Sequence, residues 1–139
     1  MQETLSKTVL REPVRSEVED IFIVLCASGF KNGARMRSAL MFATLAASAN
    51  FRTVLYCIQD AVDVMVKGAI EKNERPQPGV PTLEQRLCEA QEMGVEIQCC
   101  TQTMANKKLT EDDLILGVKA AGAMSLIDLT TGAKGTLCF

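Results

Sequence analysis

Cysteine is the residue type in this sequence that is best suited to chemistry. The chain of 139 residues has no histidine and six cysteines: Cys26, Cys57, Cys88, Cys99, Cys100 and Cys138. Without histidine no Ser-His-Asp or Cys-His site can form, and acid–base work would fall to carboxylates, lysine, tyrosine or cysteine itself. The cysteines also show no paired C-x-x-C spacing of the kind that binds zinc. We therefore expect thiol chemistry that uses neither a metal nor a cofactor.

Cys100 is the strongest candidate of the six because it stands between a predicted strand and a predicted helix. The strand is expected at 95–99 and a short helix within 101–108. A thiol at this junction faces unpaired N–H groups and the positive end of the helix dipole, which favour the thiolate over the thiol. Cys99 is expected to point to the opposite face of the strand, because side chains alternate. Cys99 and Cys57, which lies near the end of the preceding strand, remain candidates for auxiliary thiols.

The elements that position Cys100 are buried strands that alternate with helices. Strands are predicted at 21–27, 53–58, 95–99, 116–120 and 135–139, and the main helices at 34–49, 60–72, 82–93 and 123–131. This alternation predicts one α/β domain over residues 18–139, a three-layer sandwich with a mainly parallel five-stranded sheet and helices on both faces. Residues 1–17 are expected to form a polar lead-in. Ligands of open parallel sheets bind beyond the carboxyl ends of the strands, where Cys100 is expected to lie.

Other polar residues near the predicted strand ends are better explained by structure than by chemistry. The loop 28–33 matches neither glycine-rich phosphate-binding pattern, although Lys31 or Arg35 could help hold a small anion near the thiol. Asp60 is expected to cap the helix after the second strand, and Asp63 to face solvent. The acidic cluster 111–113 is expected to supply charge at a helix start and not to bind a metal.

Charge and hydropathy disfavour several classes of partner. The net charge is −2 and no long basic run is present, so nucleic acid is not expected as a direct partner. Residues 1–20 lack the apolar centre of a signal peptide, and the longest apolar run, 21–27, is far too short to span a membrane. We expect a cytoplasmic protein whose cysteines are mostly reduced.

The chain resembles the DsrE/DsrF-like family of sulfur-relay proteins, which includes the TusD type, from residue 20 to residue 139. The segment Tyr-Cys-Ile-Gln-Asp-Ala-Val at 56–62 is similar to the family's second-strand segment, and the most specific match is Gly-Val-Glu-Ile-Gln-Cys-Cys at 94–100. Family members with a functional thiol place it six residues after this glycine, so the match falls on Cys100 and not on Cys99. Cys99 departs from the small or apolar residue that is more usual there.

The resemblance implies a flavodoxin-like fold, a symmetric homotrimer or hexamer, and a role as a sulfurtransferase or sulfur carrier. In that role Cys100 would bind sulfane sulfur as a persulfide or thiosulfonate. It would then pass the sulfur between donor and acceptor proteins of rhodanese-like or TusA-like type. Three alternatives stay open: a non-catalytic module that binds a small anion or nucleotide at the strand ends, a redox-sensing thiol with Cys99 or Cys57 as the resolving partner, and a purely structural subunit of a hetero-oligomer.

Overall fold

The computed structural model describes residues 19–139, and the predicted lead-in at 1–17 lies outside them. The first half contains β1 (Ile21–Cys26), α1 (Gly33–Ser48), β2 (Arg52–Cys57), α2 (Asp60–Val64), α3 (Ala69–Asn73) and α4 (Leu83–Glu92). The second half contains β3 (Glu96–Cys100), α5 (Thr101–Asn106), β4 (Lys119–Ala121), α6 (Ala123–Thr131) and β5 (Ala133–Cys138). Single 3-10 turns lie at Phe30–Asn32 and Glu111–Asp113.

All five strands are parallel, and their order across the sheet is β4-β3-β2-β1-β5. The connections β1–β2, β2–β3 and β3–β4 each place the next strand beside the previous one, in the same direction across the sheet. The connection β4–β5 runs the opposite way and places β5 on the other side of β1. Because such crossovers are right-handed, α1 and α4 share one face of the sheet and α6 lies on the other. The prediction of an α/β sandwich with a five-stranded parallel sheet is confirmed. The strand order differs from the 2-1-3-4-5 order of flavodoxin.

The core lies mainly between the sheet and the layer formed by α1 and α4, which pack against each other. The apolar stripe of α1 is buried there, because its members recur at helical spacing. These buried residues are Met36, Ala39, Leu40, Ala43 and Ala46. Val24, Leu55 and Ile97 belong to the same buried cluster and come from β1, β2 and β3. Helix α6 contacts β1 and β5 on the other face, and no residue within it is fully buried.

Helix α4 has the start and the end that its sequence predicts. The Gln85 backbone N–H donates to Thr82 Oγ1 at 3.0 Å, and the Thr82 backbone N–H donates to Gln85 Oε1 at 2.9 Å. This reciprocal capping box satisfies two backbone donors that the first turn leaves without partners. Gly94 follows the helix with φ +88, a left-handed conformation that glycine adopts without steric cost.

The single helix predicted at 60–72 is wrong, because the chain forms the two short helices α2 and α3 instead. Between them Val66 forms an antiparallel bridge with Leu114, and the Ile115 N–H donates to the Met65 carbonyl oxygen at 2.9 Å. Gly68 then takes φ +77, which starts α3 in a new direction. The helix is interrupted by pairing with a segment about fifty residues later, which local sequence patterns do not reveal.

The fourth strand is shorter than predicted and starts later, at Lys119 rather than at 116. Gly117 takes φ +93, and the Leu116 side chain is 90% exposed, so this part of the chain turns outside the sheet.

Across the described residues, no helix combines the length and the apolar character needed to cross a membrane.

Candidate thiol site

Cys100 is the last residue of β3 and is followed at once by α5. In the register of β2 and β3, Tyr56 pairs with Gln98 and Cys57 pairs with Cys99. Because side chains alternate along a strand, Cys100 shares the face of Tyr56 and Gln98, which is the α6 face of the sheet. Its neighbour on the other side is Ala121 of β4. Cys100 is 7% exposed, so the thiol lies near the carboxyl edge of the sheet and is mostly covered.

Polar groups of Tyr56 and of the first turn of α5 act on the pKa of Cys100, although its side chain makes no hydrogen bond that caps α5. Burial by itself raises the pKa of the thiol, because it disfavours the charged form. Four groups oppose this effect of burial and lower the pKa: the backbone N–H of Thr103, the Tyr56 hydroxyl, the backbone N–H of Gln102 and the Thr103 hydroxyl. Together these donors outweigh burial and hold the pKa of Cys100 below its usual value. The arrangement therefore favours a nucleophilic thiolate.

Tyr56 contributes a hydroxyl that serves two acceptors with one proton. It is 1% exposed, and its hydroxyl donates to the Ala121 carbonyl oxygen at 2.9 Å. It also lies within hydrogen-bond reach of Cys100. While Cys100 is a thiol, its S–H can donate to the Tyr56 oxygen; once Cys100 ionises, the hydroxyl proton can turn towards the sulfur. Burial raises the pKa of Tyr56, so the phenol keeps this proton when Cys100 has lost its own.

Thr103 is oriented by a residue from the neighbouring crossover. The Gln59 backbone N–H donates to Thr103 Oγ1 at 3.1 Å, and Gln59 itself has φ +51. This bond occupies the hydroxyl oxygen as an acceptor and leaves the hydroxyl proton free to point to Cys100. The end of β2 and the start of α5 are thus joined through one threonine beside the thiol.

Tyr56 and Thr103 are the site residues that sequence reasoning missed. Tyr56 is one of the residues that carry the family resemblance, and Thr103 lies in the first turn of the short helix predicted after Cys100. Their role depends on the register of β2 against β3, since that register decides which strand residues share the face of Cys100. A signal was present in the sequence: Tyr56 is a phenol within the otherwise apolar run 54–58 and needs a partner when buried.

The structure does not bring Cys57 or Cys99 to Cys100. Both point to the opposite, α1 face and are 0% exposed, and Cys26 lies beside Cys57 on the next strand. A hydrogen bond with Cys99, and then burial, raise the pKa of Cys57, and burial raises the pKa of Cys26. Cys26 Sγ also lies 3.4 Å from Met36 Sδ. These three thiols are parts of the core, and the raised pKa values of Cys26 and Cys57 favour their neutral form.

The other two cysteines lie apart from Cys100. Cys88 is exposed on α4, and Cys138 is exposed at the end of β5. Cys138 lies with Arg35 in the wall of a cavity at the β5 side of the sheet. Strand β5 is three strands from β3, so Arg35 is not placed to hold an anion against the Cys100 sulfur.

Three of the acidic residues noted in the sequence have structural partners, whereas Asp60 is the first residue of α2 and does not cap it as expected. Asp63 forms an ion pair with Lys107, with 3.1 Å between Asp63 Oδ1 and Lys107 Nζ. Glu111 accepts a hydrogen bond from the Ala120 N–H at 2.6 Å, and Asp113 accepts one from the Thr110 N–H at 2.8 Å. Within 19–139, no three carboxylates or thiols are grouped as metal ligands would be.

These observations define an all-parallel α/β protein with one cysteine of lowered pKa at the carboxyl edge of its sheet. The model of the DsrE/DsrF-like family matches residues 20–139, and the chain belongs to this family. No curated protein matches the sequence.

Three solved structures share the fold. The ychN protein of E. coli is 21% identical, with a TM-score of 0.69 over 88% of this chain and 100% of that one. BT1422 from Bacteroides thetaiotaomicron, a conserved protein of unknown function, is 14% identical, with a TM-score of 0.61 over 86% of this chain and 95% of that one. MTH1491 from Methanobacterium thermoautotrophicum, also of unknown function, is 15% identical, with a TM-score of 0.61 over 87% of this chain and 99% of that one.

Proposed function

We propose that this protein is a sulfurtransferase or sulfur carrier that binds sulfane sulfur on Cys100 and passes it to a partner. The observation that carries the proposal is the position of Cys100, which is the last residue of β3, stands directly before the first turn of α5 and shares the face of Tyr56. Membership of a family of sulfur-relay proteins supports it. Displacement at sulfur needs a thiolate and no imidazole, which suits a chain without histidine.

Loading is a displacement in which the Cys100 thiolate attacks the outer, sulfane sulfur of a donor persulfide. A bond forms between Cys100 Sγ and that sulfur, the donor's S–S bond breaks, and the donor leaves as a thiolate. The product is Cys100 persulfide, and no electrons are gained or lost overall. With tetrathionate as donor, the same attack on a central sulfur releases thiosulfate and leaves a thiosulfonate on Cys100.

Unloading reverses the roles of the two thiols. An acceptor thiolate attacks the outer sulfur, the S–S bond to Cys100 breaks, and Cys100 leaves as a thiolate. A leaving thiol of low pKa leaves faster, and the donors around Cys100 lower its pKa. The same hydrogen bonds therefore assist both halves of the transfer, which is what a carrier needs.

The small exposed fraction of Cys100 restricts the partners of this transfer. A partner must bring its sulfur to the edge of the sheet on a small molecule or on a projecting side chain, because the globular surface of a second protein cannot enter. Donor and acceptor proteins of rhodanese-like or TusA-like type carry such a sulfur on a cysteine. We further propose that the protein acts in the cytoplasm as a homotrimer or hexamer.

The geometry favours sulfur transfer over an intramolecular redox switch. A disulfide needs Cα atoms within about 7 Å and side chains that point towards each other. Cys57 and Cys99 point to the other face of the sheet. Cys138 shares the face of Cys100 but lies three strands away, about 14 Å at the usual strand spacing. Cys100 has no resolving thiol within reach among these residues.

Transfer of labelled sulfur tests the proposed function. The protein is loaded with radiolabelled polysulfide, freed of excess reagent and mixed with a small acceptor thiol, and the label on the acceptor is measured. Wild type is expected to bind label and release it to the acceptor. A folded Cys100→Ser variant that carries and releases as much label as wild type would overturn the proposal, and Cys99→Ser serves as the matched control.

A further inference from the structure

A cavity of about 560 Å³ lies apart from Cys100, at the carboxyl edge of the sheet. Its walls come from the segments that follow β1, β2 and β3: the turn with Phe30, the α2–α3 connection, and the residues after α5. Its volume lies within the range of small-molecule pockets, and its place is where ligands of parallel sheets bind. Nothing in the sulfur chemistry of Cys100 uses this cavity.

Positive charge is in excess in the cavity. Lys67, Lys72 and Lys107 line it, together with a single carboxylate, Asp63. Asp63 is engaged by Lys107 at 3.1 Å, whereas neither Lys67 nor Lys72 has an ion-pair partner in the described part of the chain. The whole chain carries a net charge of −2, so this local excess runs against the overall charge. Two unpaired ammonium groups at one cavity favour an anionic ligand.

The cavity also has an apolar wall. Phe30, Val66 and Leu109 line it, and Phe30 and Leu109 are held in place by packing against the core. Asn73 donates through its amide nitrogen to the Ala69 carbonyl oxygen at 2.8 Å, which leaves its side-chain oxygen as an acceptor at the rim. An aromatic ring, a fixed acceptor and two cations suit a ligand with a flat heterocycle as well as negative charge.

The positive lining continues into an adjoining cavity of about 340 Å³, which shares Phe30 and Asn73 as walls. Arg37 and Arg75 line this second cavity. Its carboxylate, Glu74, is already engaged, since it accepts from the Leu83 N–H at 2.8 Å and lies 4.0 Å from Arg37. Cations therefore flank Phe30 on both sides, which suits an elongated anion better than a single compact one.

We infer that this cavity binds a nucleotide, with the base against Phe30 and the phosphate groups at Lys67 and Lys72. The site is independent of the thiol, because the six-residue helix α5, about 9 Å long, separates Cys100 from Lys107 at the cavity wall. The protein thus carries a second binding function beside its sulfur chemistry.

Titration calorimetry with ADP at low ionic strength tests the inference. Wild type is expected to bind ADP, and more weakly as salt is added, because the lysines are exposed and screened. The double variant Lys67→Gln/Lys72→Gln is expected to lose about tenfold or more in affinity. Lys119→Gln/Lys134→Gln removes the same charge from exposed positions on β4 and β5 and is expected to bind as wild type does. Absence of ADP binding, or an equal loss in both double variants, overturns the inference.

Two further probes separate the base from the phosphates. Adenosine and pyrophosphate are each expected to bind more weakly than ADP, and Phe30→Leu is expected to weaken ADP binding but not pyrophosphate binding. Pyrophosphate that binds as tightly as ADP would overturn the assignment to nucleotides. Cys100→Ser is expected to bind ADP like wild type, so that failure of the sulfur chemistry and failure of this site can be told apart.

Discussion

Tyr56 and Cys100 lie diagonally across the neighbouring strands β2 and β3, on one face of the sheet, and the Tyr56 hydroxyl helps to lower the pKa of the Cys100 thiol. The Tyr56 hydroxyl also donates to the Ala121 carbonyl oxygen on β4. The Tyr56 hydroxyl is therefore placed between a structural acceptor and the Cys100 sulfur. The ionisation of Cys100 therefore depends on the packing of three neighbouring strands, β2 and β3 in the sheet and β4 at its edge.

Replacing Tyr56 by phenylalanine removes one donor from the thiolate and leaves the ring in place. We expect the pKa of Cys100 to rise and its alkylation by iodoacetamide at neutral pH to slow by about threefold to tenfold, because the thiolate fraction falls. Loss of the bond to Ala121 should also destabilise the protein by about 1 kcal/mol. The alkylation rate as a function of pH gives the readout. An unshifted profile in a folded Tyr56→Phe variant would show that the hydroxyl does not act on the thiol.

The pH dependence of Cys100 reactivity follows from its lowered pKa. The thiolate fraction grows as pH rises, and a depressed pKa moves the half-maximal rate below the value of about 8.5 for a free cysteine. Alkylation is best measured in a Cys88→Ser/Cys138→Ser background, which removes the two exposed thiols. A half-maximal rate at or above the pH of a cysteine peptide would contradict the proposed stabilisation of the thiolate.

Cys57 and Cys99 are expected to matter for stability and not for sulfur binding. Both are buried on the α1 face, so Cys57→Ala or Cys99→Ala leaves a small void and should cost about 1–2 kcal/mol of unfolding free energy. Urea denaturation measures this cost, and mass spectrometry after exposure to polysulfide measures the load on Cys100. If a folded Cys57→Ala variant no longer bound sulfur at Cys100, the isolation of the two faces would be refuted.

Replacement of Gly29 by a residue with a Cβ atom is expected to destabilise the fold for a steric reason. A Cβ atom there would collide with the backbone carbonyl oxygen of Asp60, where the turn before α1 packs on the start of α2. Gly29→Ala should therefore destabilise the fold by about 2 kcal/mol or more, since backbone must move. At Gly132, which closes α6, an added Cβ would meet nothing within 4 Å, so Gly132→Ala is the matched control. Equal denaturation midpoints for the two variants would contradict the packing.

Local patterns predicted the elements whose causes are local. The capping box of Thr82 and Gln85 and the left-handed Gly94 bound α4 close to the predicted range 82–93, and the apolar stripe of α1 lies on the core. The break at Gly68 could not be predicted, because Val66 pairs with Leu114 far along the chain. Helix propensity depends on neighbouring residues, so it does not reveal an interaction with a segment that is distant in sequence.

The candidate site could likewise be predicted only where its causes are local. The junction of a strand and a helix singled out Cys100, and the alternation of side chains separated it from Cys99. The donors from Tyr56 and Thr103 were not predictable, because they depend on strand register and on the unusual φ of Gln59. The sequence can single out a candidate thiol, while the groups around it follow only from the assembled sheet.

The central claim is that Cys100 is the residue that binds sulfane sulfur, and intact mass tests it most directly. In the Cys88→Ser/Cys138→Ser background, three proteins are exposed to polysulfide at neutral pH: the background itself, and its Cys99→Ser and Cys100→Ser derivatives. We predict that the first two gain the mass of sulfur and lose it again on treatment with dithiothreitol, while the Cys100→Ser protein gains none. Equal gain of reducible sulfur by the folded Cys100→Ser protein would contradict the account.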